Sequence, residues 1–89
     1  MGKKELETVV DAMHAQAEDS TVPRNIRSVV METAEKLLRE NEDPSVGIGA
    51  AIYALEDISN DINMPPHTRT DLWQIISSLE AIKEKLNSN

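Results

Sequence analysis

The chain has 89 residues, 16 acidic against 9 basic side chains, a net charge of −7, and neither cysteine nor phenylalanine. That length suits one small domain, spanning 1–89, which buries about 65% of its unfolded surface and has no room for separate cofactor and substrate domains. Without cysteine there are no disulfides, zinc-thiolate sites, iron–sulfur clusters or thiol nucleophiles, and the acid excess argues against a general nucleic-acid binder.

Apolar residues recur at helical spacing in four segments, and none shows a sustained period of two, so the fold class is all-α. In the first segment Leu6, Val9, Val10, Met13 and Ala17 form one stripe, interrupted by Asp19-Ser20-Thr21. Pro23 suits the first turn of a second helix, where its missing N–H costs nothing, and Ile26, Val29, Val30, Thr33, Ala34, Leu37 and Leu38 continue its stripe. Asn41-Glu42-Asp43-Pro44 stops that helix, with Asp43 and Pro44 as the N-cap and first residue of the third. Ile48, Ala51, Ile52, Leu55, Ile58 and Ile62 make the third stripe, and Asn63-Met64-Pro65-Pro66 breaks it. Leu72, Ile75, Ile76, Leu79, Ile82 and Leu86 carry the fourth. The spacing predicts helices over about 3–18, 22–41, 44–62 and 65–87. Gaps this short make sequential helices antiparallel neighbours, which gives a four-helix antiparallel up-and-down bundle.

An internal repeat supports two similar helical hairpins, over about 3–41 and 44–87. A shift of 42 residues superposes Ala12 on Ala54, Asp19 on Asp61, Pro23 on Pro65, Arg27 on Arg69 and Leu37 on Leu79. The period lies in the range of helical repeats, and Asp19 followed by Val22-Pro23-Arg24-Asn25-Ile26-Arg27 resembles the turn and second-helix start of HEAT repeats. Two hairpins are fewer than a solenoid needs, so a closed bundle is favoured.

The run Asp19-Ser20-Thr21-Val22-Pro23-Arg24-Asn25-Ile26-Arg27, with Asp43-Pro44 and the order of the four helices, resembles an uncharacterised family of short archaeal proteins. The resemblance implies a four-helix bundle similar in topology to bromodomain-like bundles. It supplies no activity and no catalytic residues, and the short Asp19-to-Val22 connection offers no long loop for an acetyl-lysine pocket.

The candidate sites are few. Arg24 and Arg27 at the start of the second helix are an anion-site candidate. Alternatively, Asp19 pairs with Arg27 and Asp61 with Arg69 to pin each hairpin turn, and the repetition favours this structural role. Asp11-x-x-His14 resembles half of a di-iron ligand set, but its repeat partners are Tyr53 and Glu56, so a solvated charged face with Glu7 and Glu18 is favoured. His67 and Asp71 serve the start of the fourth helix. Gly47-x-Gly49 lacks the strand, the third glycine and the Lys-Ser/Thr of a phosphate loop. The two glycines let the start of helix three approach a neighbour closely, and Gly47, Ala50, Ala51 and Ala54 make a small-residue strip, either a tight intramolecular contact or a dimer seam, the former favoured. Trp73 and Tyr53 are the only aromatics; with Met31 they form a candidate partner surface, or Trp73 lines the rim of the core.

No nucleophile constellation is present, so no enzyme, cofactor or metal is expected. The longest uncharged apolar stretch, Val46 to Leu55, is ten residues, against about 20 for a membrane span. Met1-Gly2-Lys3-Lys4-Glu5 leads into a charged amphipathic stretch, and a soluble cytoplasmic protein is expected. The leading expectation is a non-enzymatic helical protein–protein interaction module, its partner an unidentified protein or a second copy. The alternative is anion or nucleic-acid binding through the arginine face of helix two.

Overall fold

Each of the four apolar stripes becomes a helix. The structure, a computed structural model, describes residues 2–39 and 44–87. It contains α1 (Gly2–Ala17), α2 (Arg24–Leu38), α3 (Pro44–Ile58) and α4 (Pro66–Asn87). Contacts join α1 to α2, α2 to α3, α3 to α4 and α1 to α4, so the helices form a closed ring, with no diagonal pair in contact among the described residues. This is an up-and-down four-helix bundle, 39 Å long and 19 × 17 Å across.

The core runs along the bundle axis. Met13 from α1, Ile26, Val30 and Ala34 from α2, Leu55 from α3, and Leu72 and Leu79 from α4 have no exposed surface. Each fully buried aliphatic side chain contributes about 1.5–3 kcal/mol relative to exposure, which far exceeds the surface terms. One exposed ion pair, Lys85 Nζ to Glu5 Oε2 at 2.9 Å, links α4 to α1 and adds little.

Four hydrogen bonds of the first hairpin turn recur in the second. In the first, Asp19 N–H donates to the Gln16 carbonyl and Val22 N–H to the Asp19 carbonyl. In the second, Asp61 N–H donates to Ile58 and Met64 N–H to Asp61. The aspartate then folds back on its own turn, because a short carboxylate reaches the N–H two residues on. Asp19 Oδ1 accepts from Thr21 N–H at 2.9 Å, and Asp61 Oδ1 from Asn63 N–H at 2.8 Å. Val22 and Met64 then plug the same end of the core, and a proline hands the chain to the next helix, with Arg27 N–H on the Pro23 carbonyl and Arg69 N–H on that of Pro65.

These turns also set the helix ends, and here the periodicity overreaches. α3 stops at Ile58 rather than 62: the Ser59 hydroxyl donates to the Glu56 carbonyl at 2.7 Å, and the Asp61 turn follows. Ile62, assigned to the third stripe by spacing, therefore sits in the turn and is 92% exposed. α2 begins at Arg24 and ends at Leu38, because Pro23 and Arg39 both have extended backbone. Leu38, the last member of its stripe, is half-exposed. α4 begins one residue later than expected, with Pro66 in its first position, where a missing N–H is harmless. The expected Asp43 cap lies outside the described residues. No helix among the described residues is long and apolar enough to cross a membrane.

Candidate functional site

Because both hairpin turns lie at one end of the bundle, their side chains meet across it. Asn25 Nδ2 donates to Asp61 Oδ2 at 3.0 Å, joining the start of α2 to the second turn. The repeat equivalent of Asn25 is His67, whose Nε2 lies 3.4 Å from Thr21 Oγ1 in the first turn. The Thr21 hydroxyl in turn donates to Asp19 Oδ1 at 2.7 Å. Each hairpin thus reaches into the other's turn through equivalent positions, the signature of an approximate two-fold axis along the bundle.

These contacts shift two carboxyls. Hydrogen bonds from the Thr21 hydroxyl and N–H hold Asp19 below the usual carboxylate range, with the His67 and Arg27 charges assisting against a smaller desolvation effect. The Asn63 N–H and then the Asn25 amide do the same for Asp61, with a further contribution from Arg69. The expected Asp–Arg pairs are not what pins the turns. Arg69 does reach back, but its guanidinium donates to the Asp61 carbonyl oxygen at 3.1 Å while the carboxylate is taken by asparagines. Arg27 forms no carboxylate bond among the described residues; its charge acts on Asp19 from a distance. Backbone N–H groups two residues away outcompete a longer, entropically costly guanidinium.

Arg24 is exposed, whereas Arg27 is half-buried with Nε sealed from water and unpartnered, so the two arginines do not present one open anion cradle. Asp11, Glu7 and Glu18 are exposed and His14 is half-buried; among the described residues no group of three or more His, Asp or Glu is placed to hold a metal ion.

The small-residue strip of α3 faces α2. Gly47, Ala50, Ala51 and Ala54 line a cleft with Val29, Glu32, Thr33, Lys36 and Arg39, an intramolecular seam left open at its rim. Gly49 lies on the other side, where an added Cβ would meet only the end of the Lys83 side chain, Nζ at 3.2 Å. No backbone approach requires that glycine.

Tyr53 is 77% and Trp73 47% exposed. Gly49 and Ile52 share a cleft with Glu80 and Lys83 at the α3–α4 seam. Tyr53 lies on α3 and Trp73 on α4, where Trp73 borders a shallow hollow with Thr70, Gln74, Ser77 and Ser78 on the outer face of the helix. Exposed Ile62 occupies the turn joining the same two helices. Met31 does not join them: it is packed against the core from α2, diagonally across the bundle from α4.

Two residues escaped the sequence reading. Gln16 and Thr68 are buried polar residues at the α1–α4 seam, where Gln16 Nε2 donates to the Thr68 carbonyl at 3.2 Å. The repeat held the signal that would have found them. Gln16 falls on Ile58 and Thr68 on Ile26, so this hairpin pairing carries polar groups where its counterpart is apolar.

This fold recurs in known proteins. A family model described as an uncharacterised protein family, UPF0147, matches residues 2–82. The chain belongs to this family. The UPF0147 protein of Methanocaldococcus jannaschii is 52% identical over 65 residues, covering 73% of this chain and 70% of its own. That of Archaeoglobus fulgidus is 46% identical over 82 residues, covering 92% and 93%. A crystal structure of a UPF0147 protein from Thermoplasma acidophilum superposes with a TM-score of 0.85 at 36% identity, covering 90% of this chain and 94% of that one. A second, of the unknown-function protein MMP1188, gives 0.81 at 42% identity, covering 85% and 86%. The archaeal family to which the turn motif pointed is thus the right one, and it brings no established activity.

Proposed function

We propose that this UPF0147 protein is a non-enzymatic helical protein–protein interaction module that uses the outer α3–α4 face. The observation that carries this reading is the exposure of both aromatics, Tyr53 on α3 and Trp73 on α4, with Ile62 92% exposed in the turn that joins those helices. Large aromatic side chains left substantially in water cost solubility in a free monomer, and they are the residues that dominate binding energy when a partner covers them. The acidic surface favours a basic partner and suppresses contact with nucleic acid. Anion binding through α2 is the weaker reading, because Arg27 is half-buried with its Nε sealed from water, whereas Arg24 is exposed.

The test compares the wild-type chain with Tyr53→Ser/Trp73→Ser, both by sedimentation for self-association and by capture from nuclease-treated lysate. A complex, with itself or another protein, that forms with wild type and is lost in a folded double variant supports the reading. Equal complex formation by the double variant overturns it, as does a partner set that disappears with nuclease.

A further inference from the structure

The α1–α4 seam opens into a groove of about 430 Å³, within the size range of small-ligand sites. Its most buried polar groups are incompletely bonded. Gln16 is 7% and Thr68 1% exposed, and neither Gln16 Oε1 nor Thr68 Oγ1 has a hydrogen-bond partner among the described residues. The amide's orientation is set by its surroundings: the Thr68 carbonyl accepts from Nε2, so the other end of the amide is an unfilled acceptor. Buried groups of this kind are nearly always bonded, and leaving one unpaired destabilises a fold by about 1–3 kcal/mol.

The architecture does not require them. The two-fold counterpart of this groove, between α2 and α3, is built on the same spacing, with Ile58 and Ile26 in place of Gln16 and Thr68. The charges differ in the same sense. Asp71 and Ser78 line the α1–α4 groove where the counterpart has Val29 and Lys36. The α1–α4 lining includes Asp19, on which the His67 and Arg27 charges also act, and Asp71, and among the described residues it contains no Lys, Arg or His.

We propose that the α1–α4 groove binds a primary ammonium group on an aliphatic chain, as carried by a free alkylamine or by a lysine side chain. Gln16 Oε1 accepts one ammonium N–H, and the Thr68 hydroxyl accepts another. Asp19 and Asp71 supply the opposing charge, and Val9, Ala12 and Ile75 line the path of the methylenes. Gln74 and Ser78 of this groove also border Trp73, but the proposal does not rest on the exposed aromatics.

The test is an amide NMR titration of the full chain with n-butylammonium at low salt. Tetramethylammonium, a charge with no N–H, and 1-butanol, a donor with no charge, serve as controls. Saturable shifts confined to residues of α1 and the first half of α4, with n-butylammonium alone, are expected. Gln16→Ile/Thr68→Ile, which copies the other hairpin's residues, should weaken binding by about tenfold or more, as expected for lost buried hydrogen bonds to a charged group. Equal shifts with tetramethylammonium, or undiminished affinity in the folded double variant, overturn the proposal. Should that variant not fold, exposed Asp71→Asn provides the test: about threefold or greater weakening supports the site, and unchanged affinity overturns it. Spermidine and a lysine-containing tripeptide, titrated in parallel, distinguish the two sources by which binds tighter; failure of both to compete with n-butylammonium overturns the assignment.

Discussion

Replacing Thr68 by valine isolates the cost of one buried hydroxyl. Thr68 is 1% exposed, and Oγ1 has no partner among the described residues. Valine keeps the β-branched shape and the χ1 preference, so the exchange of hydroxyl for methyl is nearly the whole perturbation. An unpaired buried hydroxyl destabilises by about 1–3 kcal/mol, and removing it should return about 1 kcal/mol or more. For a domain of this size that corresponds to a rise in Tm of about 4–8 °C per kcal/mol. The mirror substitution, Ile26→Thr, places a hydroxyl at the equivalent, fully buried position and should cost about 2–4 kcal/mol. Urea denaturation followed by circular dichroism measures both, and unchanged m-values would show that the effect is on stability alone. If Thr68→Val instead loses about 1 kcal/mol or more, the hydroxyl is bonded in the free protein and the reasoning about an incompletely satisfied seam fails.

Other substitutions separate core from turn. Leu79→Ala, at a position with no exposed surface, should cost about 2–5 kcal/mol in the same denaturation assay. Ile62→Asn, equally apolar in sequence but 92% exposed, should stay within about 0.5 kcal/mol of wild type. Gly49→Ala should stabilise by up to about 1 kcal/mol, since alanine is the better helix former and the Lys83 chain end can swing aside; a loss would mean that α4 sits closer than the 3.2 Å contact implies. Acid titration should expose the two turn aspartates. Both are held below 3.8 in the folded state, so their stabilisation is fully present above that value and is lost as the pH falls through their folded pKa values. Asp19→Asn/Asp61→Asn should flatten this acid limb, and an unchanged limb would show that the turn hydrogen bonds do not act in the way described.

Periodicity and punctuation in the sequence suffice for the number of helices, their order and their antiparallel packing. An apolar stripe at 3.6 spacing has one way to leave water, and Pro23, Pro44 and Pro66 forbid the helices from running together. The repeat shows in the sequence as well, because the same residues build the same turn twice. Tertiary structure decided what periodicity cannot see. Ile62 keeps helical spacing with Ile58, but the Asp61 carboxylate takes the Asn63 N–H and ends the register between them. Asp19 and Arg27 have the right spacing to pair, yet the nearer Thr21 N–H and hydroxyl claim the carboxylate. Gln16 and Thr68 stand 52 residues apart and become a buried pair only when the bundle closes α1 onto α4. A linear pattern records which face of each helix is apolar. Which polar side chains meet across a seam depends on how the helices are rotated and staggered against one another, and only the packed bundle sets that.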